Sequence, residues 1–168
     1  MKTLEFTKMH GLGNDFIILD KRKNNININK KIIKKLSNRK TGIGCDQIII
    51  IKNSSKKNIN AKITIFNADG TEAESCGNGI RCVSKILFKD LKKNKIVIES
   101  ISGRLKANLN KDKSISVNMG KIKENWKDIP ISKKINNRNI PINIKNFSKG
   151  FAVNVGNPHI VFFGKHIN

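Results

Sequence analysis

Apolar residues along this chain follow the two-residue period of β-strands more often than the period of helices. Leu4–Met9 alternates between apolar and polar positions, and Phe16–Leu19 is a continuous apolar segment typical of a buried strand. The same criteria predict further strands at 48–51, 63–66, 96–99, 105–109, 114–119, 151–155 and 160–163.

Two segments have helical spacing instead. A short helix is predicted at 30–36, with Ile32, Ile33 and Leu36 on one face. A longer one, beginning after Cys76 and ending at about Lys89, is predicted from the spacing of Ile80, Val83, Ile86 and Leu87. Connections of hairpin length favour an α+β lobe of mostly antiparallel strands wrapped around a central helix, rather than alternating βαβ units.

The polar stretch at 120–149 predicts a crossover or a boundary, since regular patterns resume only at Phe151. A weak repeat spans this stretch: Gly13-Asn14 and Gly156-Asn157, 143 positions apart, each follow an alternating strand and precede an apolar one. The match is either common turn chemistry or the beginning of a second lobe.

The charge balance is strongly basic, with 34 Lys+Arg against 12 Asp+Glu and a net charge of +22. Such a charge can bind nucleic acid through its phosphates. However, only five of the basic residues are arginines, the lysines are scattered from Lys2 to Lys165, and the chain has one Trp and no Tyr. We therefore interpret the charge as tolerated surface composition and expect no nucleic-acid partner.

Membrane and export segments are not indicated. The apolar run Ile48–Ile51 is far shorter than the roughly 18 residues of a membrane helix, and Met1–Glu5 has no apolar signal core. We expect a cytoplasmic protein without a membrane partner.

The three cysteines are an odd number and do not indicate a disulfide framework. Neither their spacing nor that of the three histidines matches a metal site, so no metal is expected. Cys45 and Cys82 are predicted to be packed in the core.

Candidate chemistry is concentrated between Asn67 and Cys82, which contains three acids and no lysine. Within it, Gly77-Asn78-Gly79 begins the predicted helix and leaves backbone N–H groups accessible to an anion. Cys76 at this end is either a small buried residue beside a turn or an acid/base group influenced by the helix terminus.

Four motifs together are similar to those of the diaminopimelate epimerase family, in the same order and with similar gaps. They are His10–Phe16, Gly42–Gln47, Asn67–Cys82 and Gly156–His159. The resemblance implies an epimerase without pyridoxal phosphate, other cofactor or metal, which converts LL-diaminopimelate to the meso form for lysine and peptidoglycan precursors. It also implies a homodimer of chains with two pseudo-symmetric lobes.

In this family one cysteine from each lobe faces the substrate α-carbon, so that a thiolate removes a proton from one side and a thiol delivers one to the other. By resemblance, Cys76 is the first-lobe acid/base and His159 supports the chemistry near the cysteines. The resemblance implies substrate contacts at Asn14, Gln47, Asn67, Gly77, Asn78 and Asn157. The structural alternatives are that Asn14 and Asn157 form turns, that Gln47 is a surface amide and that His159 is a histidine of the core.

A second Cys-Gly-x-Gly helix start, found in the family, is absent from these 168 residues. The repeat offset would carry position 76 to position 219, which is 51 positions past Asn168. The expected organisation is therefore a first epimerase lobe at 1–120 and the truncated beginning of a second lobe at 121–168. Two functions stay open: a diaminopimelate epimerase, or a non-catalytic remnant or binding module of the same fold.

Overall fold

The computed structural model describes residues 3–22 and 27–164. Its elements are β1 Thr7–Gly11, β2 Asn14–Asp20, α1 Lys30–Ser37, β3 Gln47–Lys52, β4 Ala61–Asn67, β5 Glu72–Ala73, α2 Gly77–Leu91, β6 Lys95–Ser100, β7 Gly103–Leu109, β8 Ile115–Asn118, β9 Phe151–Asn154 and β10 Pro158–Val161. The predicted helices and strands are all present, with shifted ends. The two-residue strand β5 was not predicted, and 4–6 lie outside β1.

Contacts between Cα atoms divide the chain into two compact units, Met1–Asn118 and Met119–Asn168. The first contains β1 to β8 and both helices, and the second contains β9 and β10. The expected division into a first epimerase lobe at 1–120 and the truncated beginning of a second lobe at 121–168 stays a prediction.

The first unit is built on one mixed sheet in the order β1-β2-β3-β4-β6-β7-β8, with β5 beside β4. Most neighbours are antiparallel, as predicted, but β2 pairs with β3 and β4 pairs with β6 in parallel. Each parallel pair is joined through a helix, β2 to β3 through α1 and β4 to β6 through α2, so two helical crossovers occur within a sheet that is otherwise antiparallel.

The central strands of the sheet are buried on both faces. Phe16–Leu19 in β2 and Ile48–Ile51 in β3 are at most 4% exposed. Such continuous apolar segments are typical of strands that helices or other layers cover on each side. The apolar runs of the sequence thus mark the centre of the fold.

The two helices differ in how they begin and in how much they bury. In α1, the Asn29 side chain caps the helix by accepting from the Ile32 N–H at 3.0 Å, and Ile33 is the buried apolar residue. In α2, Ile80, Val83 and Leu87 are fully buried, and the helix contacts β1, β2, β6, β7 and β8. The sheet therefore curls around α2, which forms the predicted central helix.

The helix α2 ends where Lys92 adopts a left-handed conformation with φ 52°. The Lys92 N–H closes the last turn on the Phe88 carbonyl. The chain then turns directly into β6, which places the helix and the β6–β7 hairpin against each other.

A small second unit is organised around the antiparallel pair of β9 and β10. Ile129, Ile140 and Ala152 form its buried cluster. Both Gly-Asn motifs of the repeat occur in hairpins with the glycine at positive φ, 85° at Gly13 and 112° at Gly156. In each case the conformation favours glycine, so the repeat has a common local geometry.

A cluster of ion pairs holds the β1–β2 hairpin to the segment before β3. Arg39 donates to both Asp15, at 2.7 Å, and Asp46, at 2.8 Å, and Lys8 pairs with Asp15 at 2.8 Å. The Arg39 guanidinium holds the pKa of Asp15 well below its usual range; burial opposes this and Lys8 adds to it.

No helix in the described part of the chain is long and apolar enough to cross a membrane.

Replacement of Leu87 by alanine should destabilise the fold by about 2–5 kcal/mol, because this side chain is fully buried in the helix that the sheet surrounds. Urea denaturation followed by circular dichroism measures the change. Lys85→Ala, on the exposed side of the same helix, should stay within about 0.5 kcal/mol of the parent protein. Equal effects of the two changes would contradict the central position of α2.

The depressed pKa of Asp15 predicts a pH-dependent contribution to stability. Because the folded-state pKa is lower than the unfolded one, this contribution is complete above the unfolded pKa of about 3.9 and is lost as the pH falls through the folded value. Asp15→Asn should therefore lower stability at neutral pH and flatten its decline below about pH 4. Urea midpoints measured from pH 7 to pH 2 test this, and an Asp15→Asn variant whose stability declines as steeply as that of the parent protein would contradict it.

Candidate active site

Cys76 occupies the N-cap of α2, where a side chain normally supplies an oxygen acceptor. Its backbone is extended, with φ −152°, and its sulfur accepts from the Gly79 N–H at 3.4 Å. The sulfur therefore satisfies one of the free N–H groups of the first helical turn. Cys76 is partly exposed at the helix start, unlike the buried Cys45 and Cys82, and its acid/base role stays a prediction.

The first turn of α2 lies directly against the sheet. A Cβ atom at Gly79 would be 2.6 Å from Ile49 Cδ1 and 3.2 Å from Phe16 Cε1. The absence of a side chain at this position is thus what lets the helix approach β2 and β3. It also fixes how close Cys76 lies to the ends of those strands.

Burial raises the pKa of the Cys76 thiol above its ordinary value. Hydrogen bonds from the Gly79 and Asn78 N–H groups and the positive charge of Arg81 act in the opposite direction, and the carboxylate of Asp46 adds to the increase. The result is a neutral thiol at rest, because the helix terminus offsets only part of the desolvation.

Asn14 is brought next to this thiol by the β1–β2 turn. The Cys76 Sγ–H donates to the Asn14 Oδ1 at 3.5 Å, within the range for sulfur. On its other side, the Asn14 amide nitrogen donates to Asp46 Oδ2 at 2.8 Å. Asn14 thus joins the cysteine to an acid in the segment before β3.

Gln47 and Asn67 are aligned by strand register. Phe16 is opposite Gln47, and Gln47 is opposite Asn67, so the beginnings of β2 and β3 and the end of β4 share one edge of the sheet. The Gln47 Nε2 donates to the Asn67 Oδ1 at 3.0 Å. This register explains why residues 14, 47 and 67, distant in sequence, end at the same edge as the α2 N-terminus.

A hydrogen-bond relay continues outward from this pair. Asn67 Nδ2 donates to Thr71 Oγ1 at 3.1 Å, and the Thr71 hydroxyl donates to Asp69 Oδ1 at 2.6 Å. Because a carboxylate accepts only, the direction of every bond in the relay follows from Asp69. The Gln47 Oε1 is left as a buried acceptor with no partner among the described residues, and the same holds for Ser75 Oγ.

Gly77 and Asn78, both half-buried, begin the first turn of α2. The Asn78 side chain accepts from the Arg81 guanidinium one turn later. Beside it, a Cβ atom at Gly11 would be 3.4 Å from Asn78, so β1 packs closely on this turn. Arg81 is thereby held near the sulfur whose negative form it favours.

Asn157 and His159 belong to the second unit, in the turn and strand of the β9–β10 hairpin. The His159 Nδ1 is 2.9 Å from the Asn157 carbonyl oxygen, and the histidine is exposed within the described structure. A core role for His159, the structural alternative, does not fit this exposure. Their catalytic and substrate-binding roles stay predictions from the resemblance.

The remaining cysteines lie in the core, as predicted. Cys45 is 2% exposed and donates to Ser37 Oγ at 3.5 Å, and Cys82 is 5% exposed. Burial raises the pKa of both thiols. Neither is suited to exchange protons with a ligand.

Asp46 and Asp69 are the functional candidates that sequence reasoning missed. Both lie inside quoted motifs, beside Gln47 and shortly before Cys76, and both end a chain of amide hydrogen bonds. The scarcity of acids in this lysine-rich chain was the available signal. It could not show which amide each carboxylate contacts.

Comparison with known proteins gives a consistent result. The sequence profile described as diaminopimelate epimerase matches residues 6–124. A curated diaminopimelate epimerase from Zymomonas mobilis is 45% identical over 160 residues, covering 95% of this chain and 57% of its own length. One from Pelagibacter ubique is 43% identical over 161 residues, covering 93% and 58%. The chain therefore spans a little over half the length of these relatives.

Solved structures agree on the fold. A hydroxyproline epimerase from Agrobacterium vitis has a TM-score of 0.65 at 10% identity, covering 94% of this chain and 50% of that one. A predicted epimerase from Pseudomonas aeruginosa has a TM-score of 0.62 at 9% identity, covering 96% and 60%. At these identities the likeness concerns the α+β fold alone. The profile match and the curated relatives go further: this chain belongs to the diaminopimelate epimerase family.

Proposed function

We propose that this chain supplies the first-lobe acid/base group and substrate contacts of a diaminopimelate epimerase. The observation that carries the proposal is the position of Cys76 at the N-cap of α2, where its sulfur contacts both the Gly79 N–H and the Asn14 amide. Family membership, with 45% identity to a curated diaminopimelate epimerase, supplies the reaction.

The proposed step is a two-base inversion at the α-carbon. A thiolate on one side takes the α-proton, and the Cys76 thiol on the other side delivers its proton to the same carbon as the first C–H bond breaks. The sulfur of Cys76 becomes a thiolate, and the two groups exchange roles in the reverse direction. A neutral thiol at rest is the form of Cys76 that this step requires.

Two features of the first unit suit an amino-acid substrate. The N–H groups of Gly77 and Asn78 and the helix terminus favour a carboxylate, while the partnerless Gln47 Oε1 favours an N–H donor such as an ammonium. Since diaminopimelate presents two carboxylates and two ammonium groups, it can satisfy both. Asn67, which fixes Gln47, would then act on the substrate or through its neighbour.

The remaining assignments rest on the family resemblance. We infer that Asn157 contacts the substrate and that His159 supports proton transfer. The protein would act in the cytoplasm as a homodimer without a nucleic-acid partner. The scatter of lysines over the chain supports the last point, and binding of arbitrary DNA that survives physiological salt would contradict it.

Substrate binding should protect Cys76 from alkylation. Millimolar diaminopimelate is expected to slow carboxamidomethylation of Cys76 by iodoacetamide several-fold, as measured by peptide mass spectrometry. Pimelate, which has both carboxylates but no amine, should protect less because it has no donor for Gln47 Oε1. In Gln47→Leu the two compounds should become similar, whereas the buried Cys45 and Cys82 serve as internal references. Equal protection by both compounds in the parent protein would contradict the role of Gln47.

Epimerisation itself requires a second acid/base group. Because these 168 residues contain one Cys-Gly-x-Gly motif, this chain alone should form no meso product from LL-diaminopimelate in deuterated water, as followed by chiral chromatography. Meso product from the parent chain, lost in Cys76→Ser, would overturn the requirement for a second motif.

A further inference from the structure

We propose that Asp46 is a positioning residue: it fixes the orientation of the Asn14 amide and thereby presents an oxygen, not an N–H group, to the sulfur of Cys76. This coupling of Asp46 to Cys76 consists of hydrogen bonds within the first unit. Its relevance to proton delivery rests on the proposed function of Cys76.

Hydrogen-bond donors surround the Asp46 carboxylate. Its Oδ2 accepts from Asn14 Nδ2 at 2.8 Å and from the Asp15 N–H at 3.0 Å, and its Oδ1 accepts from Arg39 at 2.8 Å. An ionised carboxylate has no proton to donate. The amide NH₂ of Asn14 must therefore face Asp46, since an amide oxygen in that place would repel the carboxylate.

The carboxylate is itself held in place. The Asp46 N–H donates to Asp15 Oδ1 at 2.9 Å and to the Asp15 carbonyl at 3.1 Å, so the two aspartates exchange backbone and side-chain bonds. The hydrogen bonds that its carboxylate accepts, from the Asp15 N–H first and then from Asn14 and Arg39, hold the pKa of Asp46 below its usual value, against burial and the charge of Asp15. Asp46 is consequently ionised throughout the neutral range and keeps its orientation.

The orientation of the Asn14 amide acts on the sulfur of Cys76. With its nitrogen turned to Asp46, Asn14 places Oδ1 3.5 Å from Cys76 Sγ. An amide oxygen accepts from S–H but offers nothing to a thiolate, so this orientation favours the protonated sulfur. The reversed amide would donate an N–H to the sulfur and favour the thiolate.

Other charged and titratable groups near Cys76 also influence the protonation of its sulfur. From α2, Arg81 favours the thiolate and Cys82 lies buried one turn and a half further on. From the β1–β2 hairpin, Asp15 is compensated by Lys8 and Arg39. Asp46 can raise the pKa of Cys76 in two ways, through its own charge and through the orientation of the Asn14 amide. The experiment below separates the two effects.

The test is the pH dependence of Cys76 alkylation by iodoacetamide, with mass spectrometry distinguishing Cys76 from Cys45 and Cys82. In Asp46→Asn the amide of Asn14 is free to reverse, and the midpoint should fall by about one pH unit. Below both midpoints alkylation should accelerate about three- to fourfold, since a more acidic thiolate is also less nucleophilic. An unchanged midpoint would overturn the proposal.

A double-mutant cycle with Asn14→Ala separates the two routes. If Asp46 acts through the amide, Asp46→Asn should move the midpoint less than half as far in the Asn14→Ala background as it does in the parent protein. The same shift in both backgrounds would show that Asp46 acts through its charge alone and would overturn the proposal. Asp112→Asn, which removes one negative charge from the β7–β8 turn, should leave the midpoint unchanged.

Circular dichroism establishes whether each variant folds. If Asp46→Asn does not, NMR of the Asn14 side-chain amide in the parent protein decides: its signals should titrate together with Asp46, and signals that ignore this titration would contradict the contact. The outcome is independent of substrate. A shifted midpoint without protection by diaminopimelate would refute the proposed function and leave this coupling intact.

Discussion

The first unit depends on how closely α2 approaches the sheet that surrounds it. At Gly79 a single Cβ atom would overlap Ile49 Cδ1 and crowd Phe16, so a larger residue would force the buried Ile49 side chain or the helix to shift. The same close approach brings the N-cap to the edge where β2 and β3 begin and β4 ends. A packing requirement in the core thereby determines where the sulfur of Cys76 is placed.

At this edge, two acids determine the direction of the hydrogen bonds. Asp46 orients Asn14, and Asp69 orients Asn67 and Gln47 through Thr71. An amide is nearly symmetric in shape and can be reversed without a steric penalty, so packing alone cannot set its polarity. The exposed carboxylates of Asp46 and Asp69, at the outer ends of the relays, set the orientation of the amides. Both acids therefore belong to the site, although neither lies at its centre.

The sequence predicted the elements well because they depend on local patterns. The spacing of Ile80, Val83 and Leu87 and the glycines after Cys76 predicted both the central helix and its start. Strand pairing was harder, because the parallel contact of β2 with β3 joins segments separated by a helix and leaves no local signature. For the site, motifs identified Cys76, Asn14 and Gln47, but the relays to Asp46 and Asp69 depend on strand register and side-chain direction, which no spacing reveals.

The protonation state of Cys76 illustrates why a helix terminus is an incomplete guide to reactivity. The helix terminus and the N–H groups of Asn78 and Gly79 stabilise a thiolate. Burial of the sulfur has the opposite and larger effect, so the pKa of Cys76 is raised. The amide oxygen of Asn14 adds to the same side. Reversal of the Asn14 amide would replace an acceptor beside the sulfur by an N–H donor and so lower the pKa of Cys76. The orientation of one neighbouring amide therefore bears on the proton that Cys76 is proposed to deliver.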